Sequence, residues 1–266
     1  MTPAVRVSPR SAVVLAVAST AGLAMLCWPL LLQVHDTTRV DPPFVFLGLL
    51  PVVLLVVLAE LNENGLDPRV LAILGVLSAV NAILRGVSPG TAGVELIFFM
   101  LVLAGRVFGP GFGFVLGCTS LFTSALLTAG VGPWLPYQML CAAWVGAGAG
   151  LLPRRVTGRA EIAMLAAYGA ASAYLYGLLM NLSGWPFLAG IVVPGHEGSL
   201  AYVAGAPVWE NLRTFLLYTL LTSSGWDTMR ALTNAVAITL LGPAVLTTLR
   251  RASRRATVTG RVLTDR

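Results

Sequence analysis

The sequence contains no lysine and few charged residues of any kind. All 17 basic residues are arginine, and only 11% of the chain is charged, against about 25% for an ordinary soluble domain. Without lysine the chain has neither a Schiff-base lysine nor a P-loop lysine, so it is not by itself an ordinary ATP-driven motor. The three cysteines, Cys27, Cys118 and Cys141, lie in apolar stretches without CxxC or Cys/His spacing. We therefore expect them to pack rather than to bind a metal or form disulfides.

Apolar residues, by contrast, dominate the chain. They make up 57% of it, and the mean hydropathy is +0.84. A soluble monomer with so few charges could not cover that much apolar surface, which predicts an all-α polytopic membrane protein. At roughly 20 residues per span, the length allows about seven to nine spans. Turns rich in Gly, Pro and short polar residues delimit eight apolar segments, at roughly 11–33, 44–60, 69–85, 91–108, 111–129, 134–152, 160–181 and 226–249.

The arginines predict how these spans are oriented. With eight alternating spans and a cytoplasmic N-terminus, 13 of the 17 arginines fall in cytoplasmic segments and four fall outside. The positive-inside rule thus favours a multi-pass protein of the plasma membrane with both termini in the cytoplasm. We expect the arginine-rich tail, residues 250–266, to be solvated and to touch lipid headgroups rather than to bind nucleic acid.

The longest connection, residues 182–225, lies outside in this topology. It is rich in aromatic and apolar residues, which argues against disorder, and connections of this length are usually functional. Residues 211–222 form an apolar run too short to span a membrane, which predicts an interfacial or re-entrant helix.

Catalytic signatures are absent from the sequence. It has no HExxH, no GxSxG and no metal-like carboxylate cluster, so we predict neither an enzyme nor a cofactor or metal site. Acidic residues within the spans are sparse. This weakens the hypothesis of an ion-coupled carrier, because a proton or sodium relay normally needs ionisable residues within the bilayer. In the last segment, Asp227, Arg230 and Asn234 recur at spacings of three and four and share one helix face. Two interpretations stay open for them: an outer-end salt bridge with Asn234 packed between helices, or a role in a pocket.

Polar and aromatic residues concentrate at the outer ends of several predicted spans. An aromatic belt would explain the Trp and Tyr residues, but not the amides and the arginine at the same depth. A mixed cluster beneath a long connection suits a polar, partly planar small molecule. The predicted substrate-binding residues are Asn81, Arg85, Glu95, Trp134, Tyr137, Gln138, Asn181 and Trp185.

Small residues recur at short spacings in three spans, where they would let helices approach closely. In the first span they are Ala12, Ala16, Ala18 and Gly22. Such a stripe serves either packing within the chain or docking of another protein. The stripe of the third span comprises Ala72, Gly75, Ala79 and Ala82, and that of the sixth comprises Ala142, Gly146 and Gly150.

Three motifs make residues 69–249 resemble the substrate-binding S component of energy-coupling factor (ECF) vitamin transporters of the actinobacterial type. They are AGRVFGP at 104–110 with Gly113, GPWLPYQM at 132–139, and YGLLMNLSGWPF at 176–187. The resemblance implies a six-helix bundle that binds a vitamin near the outer face. It also implies docking on a transmembrane coupling (T) component that carries two ATPase subunits.

The resemblance divides the chain into three parts. Residues 1–68 would be an extra pair of transmembrane helices, residues 69–249 the substrate-binding bundle, and residues 250–266 the basic tail. The family often docks through an Ala-xxx-Ala stripe in its first helix. The matching helix here has Gly75-xxx-Ala79 and Ser78-xxx-Ala82 instead, and the literal Ala12-xxx-Ala16 lies in the extra pair. Each of these stays open as the docking stripe.

The substrate and two other functional classes stay open. The long outer connection could cover a large ligand such as cobalamin or another corrinoid, and smaller B vitamins are the alternative. A stand-alone secondary carrier would work without ATPases and respond to an ion gradient. A non-transport membrane scaffold would not be stabilised by a ligand.

Overall fold

Helices provide all the regular secondary structure in the part of the chain that the structure describes. The structure is a computed structural model and describes residues 9–31, 68–87, 91–188, 193 and 198–264. The all-α prediction is confirmed for these ranges. The helices are α1 (Pro9–Leu26), α2 (Trp28–Leu31), α3 (Pro68–Val87), α4 (Ile97–Phe108), α5 (Pro110–Leu127), α6 (Leu135–Leu151), α7 (Gly158–Gly184), α8 (Val208–Thr222) and α9 (Ser224–Thr264), with 3-10 turns at Thr91–Gly93 and Trp185–Phe187.

Four helices in these ranges are long and apolar enough to cross a membrane. They are Pro68–Val87, Pro110–Leu127, Gly158–Phe187 and Ser224–Arg255. Two shorter apolar helices, Ala12–Leu26 and Ile97–Phe108, accompany them. By length and hydropathy the chain is therefore a multi-pass membrane protein. The predicted second span, 44–60, lies outside the described residues, and eight crossings remain a prediction.

Two predicted element boundaries differ from the structure. The fourth segment was expected to be helical from residue 91, but α4 begins only at Ile97, since Ala92 and Gly93 take left-handed backbone conformations. The tail was expected to leave the last helix near residue 249, yet α9 continues to Thr264. Arginine and alanine, which fill most of residues 250–256, are good helix formers, and no proline follows Pro243. The helix therefore continues beyond the apolar segment.

The core is centred on α4, which is buried at eleven of its twelve residues. It packs against α5, α6 and α9. Gly109 joins α4 to α5 with a φ of 104°, a conformation that L side chains rarely adopt, and Pro110 then starts α5. This single-residue connection turns the chain back on itself and holds the two helices side by side. Cys118 and Cys141 are buried and free, as expected for packing residues.

Glycines let α6 lie almost in backbone contact with α4 and α5. A Cβ placed on Gly113 or on Gly105 would collide with the carbonyl oxygen of Gly146, and one on Gly150 would collide with Pro110. The small-residue stripe of the sixth span therefore serves packing within the chain. One of the two interpretations of that stripe is thus confirmed.

Outside this core, α1 packs on the surface formed by α6 and α7. The Trp144 indole N–H donates a hydrogen bond to Ser19 Oγ at 2.9 Å. Gly22 faces Leu140 so closely that a side chain at Gly22 would displace it. The first predicted span is thereby attached to the bundle.

The polar side chains gather at the two ends of the bundle. One end holds the C-terminus of α3 and the start of α9, and we call it the outer end, following the predicted topology. The other, the inner end, holds the C-termini of α4 and α6 and the start of α7. Contacts between helices fix both ends.

Candidate functional site

A line of polar side chains on α3 faces α5 and α6 near the outer end. Ser78, Asn81 and Arg85 follow one another at spacings of three and four, which puts them on one helix face. The hydroxyls of Ser78 and Thr119 share a hydrogen bond of 2.7 Å. Two turns further out, Arg85 reaches α5 through one terminal nitrogen and α6 through the other. We call this line, together with its partners on α5 and α6, the α3 polar seam.

Asn81 lies at the centre of the α3 polar seam and is 1% exposed. Neither its amide nitrogen nor its amide oxygen has a hydrogen-bond partner among the residues that the structure describes. Burying an amide without partners costs about 1–3 kcal/mol, and a bilayer offers no water to reduce that cost. A polar group from a water molecule or a ligand would satisfy both atoms, which makes Asn81 a candidate binding residue.

Arg85 carries a positive charge that no carboxylate of the described chain contacts. Its Nη1 donates to Ser124 Oγ at 3.3 Å, and its Nη2 donates to Gln138 Oε1 at 3.2 Å. Both partners are neutral and both bonds are long for charge-assisted hydrogen bonds. No carboxylate among the described residues therefore compensates this half-buried guanidinium, which suits an anionic or strongly polar group of a ligand.

Glu95 belongs to a different cluster, which holds the start of α9 against α4 and α7. Arg230 donates through Nε to Glu95 Oε2 and through Nη1 to Asp227 Oδ1, each at 2.7 Å. The guanidinium also lies 5.3 Å from the ring centroid of Tyr176. Asn234 donates to the backbone carbonyls of Glu95 and Arg230 at 2.7 and 2.9 Å. The salt-bridge interpretation of this face is confirmed, and Glu95 is engaged within the protein.

Gly177 on α7 makes room for this ionic cluster. A Cβ at position 177 would collide with the carboxylate of Asp227. The carboxylate therefore lies directly against the α7 backbone. The side chains of Glu95, Asp227 and Arg230 are 12%, 5% and 10% exposed, so one guanidinium is shared by two carboxylates largely away from solvent. With all three groups ionised, the cluster carries one excess negative charge.

The other predicted site residues are dispersed. Tyr137 is buried beside the α3 polar seam on the same helix as Gln138, whereas Trp134 is 51% exposed at the start of that helix. Asn181 is half-buried, and its Nδ2 has no hydrogen-bond partner. Trp185 is fully buried in a separate aromatic cluster.

That aromatic cluster anchors the outer connection between α7 and α9. The Trp185 indole N–H donates to the carbonyl oxygen of Leu200 at 2.7 Å. Its ring packs against Tyr202, Phe215 and Tyr218 with centroid distances of 5.4 to 6.4 Å. Phe215 and Tyr218 lie on α8, the short helix predicted at 211–222. The helix prediction is confirmed, and it begins at Val208, directly after Pro207.

Several residues of the α3 polar seam and of the ionic cluster around Arg230 were not predicted from the sequence. Ser78, Thr119 and Ser124 are single hydroxyl residues in apolar helices, and no sequence signal distinguishes them from ordinary small residues. Tyr176 was noticed only as part of a motif. Its role as the aromatic neighbour of Arg230 depends on how α7 and α9 pack.

The cavities that open on the described residues include two whose linings contain none of Asn81, Arg85 and Gln138. One, of about 170 Å³, lies between α6 and α7 and is lined by Cys141, Tyr168 and Tyr176 among others. Because Tyr176 also contacts Arg230, this cavity adjoins the ionic cluster. The other, of about 210 Å³, lies at the inner end. The described residues contain no group of three or more His, Cys, Asp or Glu side chains placed to hold a metal ion.

Comparison with known proteins adds no assignment. No family model, no curated protein and no solved structure matches the chain. The function is therefore argued from the geometry of the bundle and from the sequence motifs.

Proposed function

We propose that the chain is the substrate-binding S component of an ECF-type importer. It captures a vitamin or related micronutrient at the outer end, and partner subunits drive uptake with ATP. In this proposal α3, α4, α5, α6, α7 and α9 correspond to the six family helices. Helix α1 and the segment 44–60 form the extra N-terminal pair, and α8 lies in the outer connection. The sequence motifs at 104–110, 132–139 and 176–187 support this correspondence.

The observation that carries the proposal is the pair formed by Asn81 and Arg85. Asn81 offers an amide that has no hydrogen-bond partner among the described residues. Arg85 offers a guanidinium that contacts no carboxylate among them. Both lie on one face of α3, whereas the buried charged residues Arg106, Glu161, Asp227 and Arg230 are paired with one another or with other charged residues of the chain. Structural polar residues in membrane helices are normally satisfied by neighbouring helices. Incomplete satisfaction at one depth supports a site that a polar ligand completes.

The surface of α3 supports the docking part of the proposal. Ala72, Gly75 and Ala79 are exposed, and a Cβ on Gly75 would meet nothing within 4 Å. Ala82, the fourth member of the predicted stripe, is buried at 2% exposure and faces the bundle instead. The proposed contact for the coupling component is therefore Ala72, Gly75 and Ala79. Ala12 and Ala16 of α1 are exposed as well, so the second docking candidate stays open.

The substrate stays open between cobalamin or another corrinoid, which the long outer connection could cover, and a smaller B vitamin. The cavities of about 170 and 210 Å³ do not include Asn81, Arg85 or Gln138, so their volumes carry no information on the size of the ligand.

The experiment is thermal unfolding of the purified full-length chain with a panel of B vitamins including cobalamin. We expect one of them to raise the unfolding temperature, and Arg85→Gln to weaken its binding. Arg213→Gln is the matched control, because Arg213 is an exposed arginine of α8 on the same predicted side. Tagged chain from native membranes should also co-purify with a coupling component and two ATPases. Failure to co-purify them, with no stabilising vitamin, contradicts the proposal.

A second candidate, an ion-coupled secondary carrier, is favoured by the cluster of Glu95, Asp227 and Arg230. Ionisable residues held at membrane depth often mark ion pathways. The discriminating measurement is uptake of the stabilising vitamin by proteoliposomes that contain this chain alone. Uptake that follows an imposed proton or sodium gradient supports the carrier. Uptake only with ATPases supports the importer.

A further inference from the structure

The inner end of the bundle holds an arginine-lined cavity of about 210 Å³. Its lining includes three arginines, Arg106, Arg154 and Arg250, and a single carboxylate, Glu161. The lining therefore carries an excess of two positive charges. The cavity lies at the opposite end from the proposed vitamin site and does not depend on it.

Arg106 and Arg250 differ in how many of their guanidinium nitrogens donate hydrogen bonds within the protein. Arg106 donates to Glu161 and to the carbonyl oxygens of Leu152, Pro153 and Val156 at 2.8 to 3.1 Å, so its role is structural. Arg250 contacts both oxygens of Glu161, at 2.7 and 2.8 Å, through Nη2 alone. The Nε and Nη1 donors of Arg250 have no partner among the described residues, and its side chain is 31% exposed.

Helix α7 adds a weaker attraction for anions at the same place. Thr157, which lines the cavity, occupies the N-cap position of α7, and its side chain makes no capping hydrogen bond. The first N–H groups of a helix and its macrodipole favour negative charge. Glu161 in the first turn offsets part of this effect, but its carboxylate is already shared by Arg106 and Arg250.

The position of the cavity fits the level of lipid headgroups. The candidate span in α9 runs to Arg255, so Arg250 and Ser253 lie in its last turns. Val107 and Val156 give the cavity an apolar wall. At about 30 Å³ per molecule, the volume corresponds to about seven waters. That is room for a tetrahedral oxyanion with an ester substituent.

We propose that this cavity binds an anionic phosphate group at the inner membrane surface, presented by an anionic phospholipid headgroup or by soluble phosphate. Arg250 and Arg154 would contact the phosphate oxygens, since guanidinium groups match them through paired hydrogen bonds. Basic pockets between transmembrane helices are a recurrent form of lipid headgroup site. Bound there, the phosphate bridges the α6–α7 connection and the inner part of α9.

The test uses two neighbouring arginines that lose the same charge. Arg154→Gln alters the lining, whereas Arg155→Gln alters an exposed neighbour that does not line the cavity. Delipidated full-length protein in neutral detergent is titrated with phosphatidylglycerol, phosphatidylcholine or inorganic phosphate, and binding is followed by native mass spectrometry. Thermal unfolding without lipid verifies that both variants fold.

We expect phosphatidylglycerol to bind more tightly than phosphatidylcholine. Arg154→Gln should weaken phosphatidylglycerol binding about tenfold, the lower end of the effect of losing one hydrogen bond to a charged group. Arg155→Gln should change binding less than twofold. If millimolar phosphate does not displace phosphatidylglycerol, the site belongs to the lipid. If inorganic phosphate binds equally well and depends on Arg154 in the same way, the site belongs to the soluble anion. Equal weakening by both variants, or no preference for either anionic probe over phosphatidylcholine, overturns the proposal.

Discussion

Replacing Glu161 by glutamine should be among the most destabilising conservative changes in this protein. Glu161 is 3% exposed and is the only carboxylate that the described residues bring to Arg106 and Arg250. Glutamine keeps the volume and one acceptor oxygen but removes the charge. Arg106, itself 8% exposed, then keeps its carbonyl partners while its charge is uncompensated.

The structure gives the expected size of the effect. Removing one partner of a buried ion pair costs about 3–5 kcal/mol, and the remaining amide oxygen of the glutamine puts Glu161→Gln near the lower figure. Arg250→Gln should cost only about 1 kcal/mol, because that side chain is partly exposed and Glu161 keeps Arg106. Arg251→Gln, an exposed neighbour on α9, should change stability by less than about 0.5 kcal/mol.

Equilibrium unfolding in mixed micelles, followed by tryptophan fluorescence, measures all three variants on one scale. The predicted order is Glu161→Gln, then Arg250→Gln, then Arg251→Gln. A loss below about 1 kcal/mol for Glu161→Gln would falsify the view that this network joins α4, α7 and α9. An Arg250→Gln variant as unstable as Glu161→Gln would refute the argument from exposure.

Three further predictions follow from close contacts and from their absence. Gly146→Leu should prevent folding, because a side chain there collides with α5, whereas Gly75→Leu should fold and bind ligand normally but reduce uptake by blocking a partner. Asn81→Leu should leave the unfolding temperature unchanged or raise it, because the buried amide has no partner among the described residues. It should lower the affinity for the stabilising vitamin about five- to 150-fold, because one polar contact is removed. Gly177→Ala should cost about 1–3 kcal/mol in equilibrium unfolding, because its methyl group displaces the Asp227 carboxylate.

Each of these predictions has a contradicting result. If Gly75→Leu lowers ligand binding and uptake together, α3 contributes internal packing rather than a docking face. If Asn81→Leu destabilises the protein but keeps full affinity, the amide has a structural partner and no ligand contact. Gly184→Ala, where a Cβ meets nothing within 4 Å, is the control for Gly177→Ala. Equal costs for these two alanine variants would contradict the steric argument.

Much of the architecture could be predicted from the sequence because hydropathy and turn chemistry act locally. The apolar segments predicted helices, and Pro and Gly predicted where they end, as at Gly109–Pro110. The short apolar run at 211–222 predicted α8 for the same reason. The continuation of α9 to Thr264 was missed, since a basic, polar stretch gives no apolar signal although it forms helix well.

The candidate site could be predicted only in part. Sequence position placed Arg85, Gln138 and Asn81 at one level, and the structure brings the first two into hydrogen-bond contact. The sequence also predicted Glu95 and Trp185 as substrate-binding residues. In the structure Glu95 instead forms an internal ion pair, and Trp185 anchors an aromatic cluster. All of these residues lie near the outer end, so depth alone could not separate them.

The sequence by itself determined that the chain is helical, apolar and multi-pass, and which end of each helix carries its polar residues. The tertiary structure decided which face of each helix meets a neighbour. Gly75 and Gly146 belong to similar small-residue stripes, yet the first is open and the second touches the backbone of α5. Glu95 and Arg230 are 135 positions apart and meet at 2.7 Å. Hydropathy acts residue by residue, whereas such contacts depend on how each helix is rotated about its axis, which the packing of all the helices sets together.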